Sequence, residues 1–370
     1  MTAAGLEIFL ATAPGHEDVL AEEVRSLHFK SIRSAPGGVA ITGDWRDVWR
    51  ANLQVRGASR ISARIGSFRA SHLSELDKRS RKFPWAGVLR ADVPVRVEAQ
   101  CRASKIYHTG AAAERVAKAI HAALGADVAD DAGVAVRVRI EKDVCTLIVD
   151  TSGEPLHKRG FKEAVNAAPM RETMAANFLR QCGYDGREPV LDPMCGSGTF
   201  VIEAAEIAAH MAPGRTRPFA FEKLATFDAA AWQAMRASVQ PVIPPHTFHG
   251  SDRDPGAIRM SRANAARAGV AAFTSFEERD VSEIVPPPGG PGLVIVNPPY
   301  GDRIGEAGSI AAVYRALGAA LRSRFKGWRA GLITTDPALA KATGLPFGRP
   351  SSPVSHGGLR VALYQCGPLA

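Results

Sequence analysis

The chain has no framework of paired cysteines. Its five, Cys101, Cys145, Cys182, Cys195 and Cys366, are odd in number, scattered, and never spaced as C-x-x-C. That pattern excludes a disulfide scaffold and a zinc-ligand set, and it fits a reducing, cytoplasmic setting. There is no G-x-x-x-x-G-K followed by Ser or Thr and no H-E-x-x-H, which removes the commonest nucleotide-hydrolase and zinc-protease readings. No apolar run approaches the roughly 20 residues that span a bilayer. The N-terminus carries Glu7 and no basic segment, so it does not read as a signal peptide. Neither a membrane nor a metal is expected as a partner.

What is present is length, balanced composition and misplaced charge. At 370 residues, two or three domains are expected, and 46% hydrophobic with 22% charged residues is ordinary for a globular protein. The net charge of +9 is concentrated: Arg50–Gly110 holds thirteen Lys/Arg against four acids, and the remainder is balanced. A basic face beside a neutral half suggests a polyanion presented to an active site. Arg79, Arg81, Lys82 and Lys105 are the candidate contacts. A solvated basic surface with no partner is the plainer alternative.

Along the chain, a strand at Leu6–Ala11, a helix at Glu17–Leu27, a strand pair around Gly37-Gly38, a helix near Trp45–Leu53 and a strand near Ala63–Arg69 give the ferredoxin-like order. A second unit follows with a strand at Val93–Ala99, an Ala-rich helix at Ala111–Leu124, and alternating strands at Val134–Ile140 and Val144–Val149. The polar, Gly/Pro-punctuated stretch Asp150–Glu163 bounds the halves. From Met170, strand and helix alternate as in a parallel α/β sheet, with strands at Pro189–Leu191, Thr247–Gly250, Ser275–Arg279, Leu293–Val296 and Gly331–Thr334 and a final pair spanning Gly357–Cys366. The expected domains are 1–69, 70–152, a linker 153–166, and 167–370.

Two strand exits carry the chemistry. Val190-Leu191-Asp192-Pro193-Met194-Cys195-Gly196-Ser197-Gly198-Thr199 reads as a buried strand, a glycine turn and a helix start, where backbone amides can approach a ligand. A Gly-x-Gly alone also suits a dinucleotide site or a turn that binds nothing, but Val201 stands where the dinucleotide fingerprint needs its third glycine. Cys195 lacks a flanking base and reads as a small buried residue. Asp252 could accept both hydroxyls of a ribose or merely cap, while Asp254 before Pro255 is a helix N-cap. Asp280 could take an adenine amine or be a solvated turn acid. Leu293–Val296 runs into Asn297-Pro298-Pro299-Tyr300. There the Asn297 side-chain oxygen and the Pro298 carbonyl could accept from a planar exocyclic amine, and Tyr300 could stack an extruded base. Positioning and electrostatics suffice for methyl transfer to such an amine, with no covalent nucleophile.

These motifs, with the hinge Thr151-Ser152-Gly153-Glu154-Pro155-Leu156-His157-Lys158-Arg159-Gly160-Phe161, with Ala168-Pro169-Met170-Arg171-Glu172-Thr173 and with Ala212-Pro213-Gly214-Arg215, resemble the THUMP-domain class I RNA methyltransferases. The likeness is greatest to the RlmL-type large-subunit rRNA guanine-N2-methyltransferases and covers nearly the whole chain. It implies an α+β ferredoxin-like/THUMP region that holds structured RNA, ahead of a Rossmann-like class I methyltransferase domain that binds S-adenosylmethionine (SAM). It also implies that Asp192, Pro193, Cys195, Gly196, Gly198, Thr199 and Asp252 surround the cofactor with Asp280 near its adenine, and that Asn297, Pro298 and Tyr300 act at the target amine. Some relatives continue into a second methyltransferase domain, whereas this sequence ends at Ala370, so a single activity is expected here. The alternatives are a tRNA guanine-N2-methyltransferase, an adenine-N6 DNA methyltransferase and a non-catalytic RNA-binding assembly factor. The intact motifs oppose the last.

Overall fold

The computed structural model describes residues 5–163, 170–299 and 307–370. Tertiary packing divides the chain into two compact units. One comprises Met1–Thr12, Ala21–Leu156 and Arg217–Ser238; the other comprises Ala13–Leu20, His157–Thr216 and Val239–Ala370.

The N-terminal elements run β1 (Leu6–Ala11), α1 (Glu17–Ser26), β2 (Arg33–Ala35), β3 (Gly38–Gly43), α2 (Trp45–Gln54) and β4 (Arg60–Arg69), the ferredoxin-like order. Then come α3 (Leu73–Arg81), β5 (Val95–Arg102), α4 (Thr109–Leu124), β6 (Val134–Glu141) and β7 (Val144–Asp150). All seven strands form one sheet in the order β2-β3-β1-β4-β7-β6-β5. The segments expected as separate domains therefore share a ladder, because β4 pairs with β1 on one edge and with β7 on the other. Only β5 and β6 are parallel, and α4 supplies the crossover that a parallel pair requires.

The first unit also takes Arg217–Ser238, which the sequence reading placed in the C-terminal domain. Aromatic packing is the reason. The Phe221 ring stacks on Trp49 at 6.1 Å, meets Trp232 edge-on at 5.0 Å, and lies 5.2 Å from Phe219. Trp232 sits on α7 (Ala229–Ala237). The backbone follows: Phe221 N–H donates to the Thr151 carbonyl at 3.1 Å, and the Arg217 guanidinium donates to the Glu154 and Pro155 carbonyls at 2.6 and 2.7 Å.

In the second unit, α5 (Glu172–Gln181) precedes β8 (Val190–Asp192), α6 (Thr199–Ala208), β9 (Phe248–Asp252), α8 (Pro255–Ala268), β10 (Thr274–Glu278) and β11 (Leu293–Val296). The chain ends with α9 (Ala307–Arg324), β12 (Arg329–Thr334), α10 (Pro337–Ala342), β13 (Val354–His356) and β14 (Leu359–Cys366). The strand order is β10-β9-β8-β11-β12-β14-β13; β14 is antiparallel to both its neighbours and the other pairings are parallel. The chain reverses its winding between β8 and β11, and ligands collect outside the strand ends at such a switch point. All four residues of β11 are buried because both sheet faces are covered. Leu293 and Ile295 join the core with α5, α6 and α8, while Val294 and Val296 join the core with α9. The final pair begins earlier than its expected bounds. Gly357 and Gly358, at φ +58° and +84°, form the turn, so β13 lies at Val354–His356.

Phe221→Ala is expected to remove the centre of the aromatic cluster and cost about 3–5 kcal/mol of first-unit stability. Urea unfolding followed by tryptophan fluorescence checks this, and an unchanged midpoint would show that the cluster does not hold the segment.

Candidate active site

The turn after β8 is held from two sides. Its Cys195 N–H donates to the Ser251 carbonyl at 2.9 Å, and its Gly196 N–H donates to Asp252 Oδ2 at 3.0 Å. Gly198, at φ +83°, precedes α6, and a Cβ there would sit 3.1–3.2 Å from Ser261 and Phe276. Any larger residue at that position would push the turn off its neighbours. At Gly196 a Cβ would meet nothing within 4 Å, so open space lies over the turn.

A cleft of about 290 Å³ opens at the C-terminal ends of the parallel strands, close to the lower end of the size range of small-molecule sites. Pro193 and Met194 after β8, Asp252 at the end of β9, Asp280 after β10, and Asn297 and Pro299 after β11 all line it. Asp254, which the sequence reading took as a helix cap, lines it too, and Arg253, Arg279, Val281 and Val313 complete the wall. The sequence reading did not single out Arg253, Arg279, Val281 or Val313, although the first three adjoin residues that it did. Asp254 caps α8 through the Gly256 N–H at 2.7 Å. Asp252 is therefore not the cap: its Oδ1 accepts from Asp254 N–H at 3.0 Å, which braces the turn. Asp280 Oδ1 accepts from the Ser282 hydroxyl and N–H at 2.6 and 2.9 Å, and these bonds hold its carboxyl below the usual range.

The amide of Asn297 stands where β11 ends. Its Oδ1 is buried and has no hydrogen-bond partner among the described residues, an arrangement that ordinarily costs free energy unless a ligand completes it. Pro298 is buried behind it. Tyr314 Oη lies 3.3 Å from the Pro299 carbonyl and 3.1 Å from Thr334 Oγ1. Tyr300 lies outside the described residues.

Other expected residues sit behind the cleft and not on its wall. Asp192 is 3% exposed and accepts from Met194 N–H at 3.1 Å. Burial pushes its carboxyl up to about 8 against that hydrogen bond, and the charge of Asp252 adds to the rise. Cys195 is buried with Sγ 3.7 Å from Ser261 Oγ, and burial raises its thiol well above the ordinary value, the opposite of nucleophile activation. The Thr199 hydroxyl accepts from Lys162 Nζ at 2.8 Å. In the first unit Arg79, Arg81, Lys82 and Lys105 are exposed. Arg79 pairs with Glu75 at 3.2 Å and Arg81 with Asp77 at 2.8 Å, exposed pairs that hold the side chains weakly. No group of three or more His, Cys, Asp or Glu that could hold a metal occurs among the described residues, and no described helix is long and apolar enough to cross a membrane.

A doubly wound sheet with an antiparallel penultimate strand, a glycine turn at the switch point and an amide-proline-proline exit on the neighbouring strand define a Rossmann-like methyltransferase fold. The chain belongs to the RMKL-like methyltransferase family. The family model for the methyltransferase domain matches residues 159–349, and a model for the RlmL ferredoxin-like domain matches residues 7–62. A Syntrophotalea carbinolica relative named "Ribosomal RNA large subunit methyltransferase K/L" is 35% identical over 91% of this chain and 50% of its own length. The chain thus spans about half the length of that curated relative. Among solved structures, SMU.472 complexed with SAH matches with a TM-score of 0.85 at 26% identity over 100% of both chains. A Listeria monocytogenes protein titled "predicted N6-adenine-specific DNA methylase" matches with a TM-score of 0.86 at 28% identity, covering 98% of this chain and 96% of its own.

Asp192 makes stability depend on pH. Between its ordinary value of 3.8 and its folded value of about 8, the folded protein holds a proton that the unfolded chain has released. Stability contributed there falls as pH rises through that window. Asp192→Asn is expected to flatten that decline in urea titrations run at successive pH values; an unaltered slope would show that the carboxyl is ionised in the fold.

Proposed function

We propose that this chain transfers the methyl group of SAM to the exocyclic N2 amine of a guanine in RNA, and that the RNA is large-subunit ribosomal RNA. The observation that carries the reading is Asn297 Oδ1 at the end of β11, buried without a hydrogen-bond partner among the described residues, in a side chain that lines the same cleft as Asp252 and Asp280.

The cofactor suits the residues present. Asp252 has lone pairs left for ribose hydroxyls beyond its two backbone bonds, Asp280 is held ionised at the cleft wall, and open space covers Gly196. Asp252, Asp254 and Asp280 outnumber Arg253 and Arg279 on the wall, a balance that suits a cationic sulfonium, which supplies an electrophilic methyl when bound. Asn297 accepts from the guanine amine and turns the nitrogen lone pair toward that methyl. The Pro298 carbonyl accepts the second N–H, with φ fixed by the ring. SAM held there would supply the methyl with its sulfur leaving as a neutral thioether, and the methylated amine would lose one proton to water. No enzyme nucleophile is required, consistent with the raised thiol of Cys195. The concentrated Lys/Arg of Arg50–Gly110 serves the RNA backbone through phosphate contacts.

The relative's name supports ribosomal RNA over transfer RNA, and the ferredoxin-like and basic N-terminal half supports RNA over the adenine-N6 DNA alternative. Purified protein incubated with radiolabelled SAM and separate rRNA, tRNA and DNA pools, followed by nucleoside analysis, is expected to yield N2-methylguanosine from rRNA; N6-methyladenosine or label in DNA overturns the reading. Asn297→Ala is expected to cut turnover roughly a hundredfold or more, with SAM affinity by calorimetry within a few-fold. Lost SAM binding beside a normal residual rate would remove Asn297 from the amine.

A further inference from the structure

The Asn297-Pro298-Pro299 exit lacks the means by which a strand is normally held. A proline has no N–H, so neither Pro298 nor Pro299 can donate to a ladder, and the register of β11 with β12 ends at Val296 and Leu332. Strand β12 itself runs on to Thr334. Each proline ring fixes φ and leaves ψ as the soft torsion. The directions of the Pro298 and Pro299 carbonyls therefore depend on what those carbonyls meet.

What the Pro299 carbonyl meets is a buried phenol. Tyr314, on α9, is fully buried, and its Oη lies 3.3 Å from that carbonyl and 3.1 Å from Thr334 Oγ1. Thr334 is fully buried too, and its Oγ1 accepts from Asp336 N–H at 3.3 Å. Asp336 is itself fixed, since its carboxylate caps α10 through the Ala338 N–H at 2.7 Å. The two ends of this series dictate its polarity. An amide N–H only donates and a carbonyl only accepts, whereas each hydroxyl has one proton to give. Only one order uses every bond: Asp336 N–H to Thr334, the Thr334 hydroxyl to Tyr314, and the Tyr314 hydroxyl to the Pro299 carbonyl.

We propose that Tyr314 is a positioning residue for methyl transfer, and that Thr334 sets the direction of its hydroxyl. Pro299 and Val313 line the cleft, whereas Tyr314 is fully buried, so its hydroxyl acts through the carbonyl that it holds. Anchoring the Pro299 carbonyl restrains ψ of both prolines. The Pro298 carbonyl and the Asn297 amide then present a fixed pair of acceptors, which is what orients a planar amine. The inference rests on the methyl-transfer reading above, and it adds residues of α9 and β12 to a site otherwise built from strand exits. A neutral hydrogen bond contributes little net stability, but a small misplacement of a reacting group is costly in rate. The relay therefore acts on turnover more than on folding.

The test uses the full chain with Tyr314→Phe, Thr334→Val and Thr334→Ser, radiolabelled SAM, and whichever of the rRNA, tRNA and DNA pools the parent protein labels. Tyr314→Phe keeps the ring and removes the hydroxyl. It is expected to lower kcat roughly tenfold, with KM for SAM and SAM affinity by calorimetry within a few-fold. Thr334→Val should lower kcat as well, and Thr334→Ser, which keeps the hydroxyl, should retain the parental value. The double variant Tyr314→Phe/Thr334→Val should be no slower than Tyr314→Phe alone, because a relay is cut only once. Unchanged kcat in Tyr314→Phe overturns the proposal, and so does a loss of SAM affinity in step with the rate, which would mark a general collapse of the cleft. Losses that multiply in the double variant overturn it too, since two independent contacts would then be at work. Crystal structures of the parent and of Tyr314→Phe give a readout that needs no turnover: the Pro298 and Pro299 carbonyls are expected to turn, and an unmoved exit overturns the proposal. If the parent protein forms no N2-methylguanosine, or labels no pool, the functional reading fails while the crystal comparison still decides the role of Tyr314.

Discussion

Asp252 accepting the Gly196 amide at 3.0 Å is the interaction on which the catalytic unit depends. A turn of Gly196-Ser197-Gly198 is entropically expensive to fix, because its glycines visit regions closed to other residues. The neighbouring strand fixes it: β9 supplies both the Ser251 carbonyl and the Asp252 carboxylate, and Ser261 on α8 donates to the Gly196 carbonyl at 2.8 Å. The same carboxylate reaches the Asp254 amide and so orients the N-terminus of α8. One side chain at a strand end thus braces the glycine turn and forms part of the cleft wall.

After that turn, α6 carries carboxylates where a helix core would ordinarily be apolar. Glu203 and Glu206 are fully buried, and each is met by an arginine from a flanking loop, Arg159 at 3.3 Å and Arg215 at 2.5 Å. Buried pairs of this kind add little net stability after desolvation, but removing one partner is costly, so they favour one arrangement of chain segments. Here they anchor the hinge strip and the Ala212–Arg215 loop to the helix that follows the glycine turn. Lys162, which bridges Glu172 and Thr199, does the same for the approach to α5. Burial raises the Glu172 carboxyl, with Lys162 opposing.

The first unit obeys a different economy. Its sheet is continuous because ten-residue β4 offers pairing edges to both halves, and its aromatic cluster joins segments far apart in sequence, Trp49 and Phe219–Trp232. The excursion Arg217–Ser238 gives this unit a hydrophobic anchor within a stretch that sequence order alone assigns elsewhere.

The strands and helices were legible wherever one period dominated. The four-residue apolar run Leu293–Val296 had to be a strand buried on both faces, and Pro255 after Asp254 had to open a helix. The exits of β8 and β11 were legible too, because glycine and proline act locally through φ. What a linear reading could not decide was partnership. Whether Asp252 caps, braces or binds depends on where the Gly196 and Asp254 amides lie. That Asn297 Oδ1 has no hydrogen-bond partner among the described residues depends on which side chains the fold brings near it. Phe221 belongs to the first unit because Trp49 is there to stack on. Periodicity and backbone restriction are properties of neighbouring residues, so the sequence determined them by itself; burial, pairing and shifted proton affinities belong to groups brought together across the chain, and only the tertiary structure decided those.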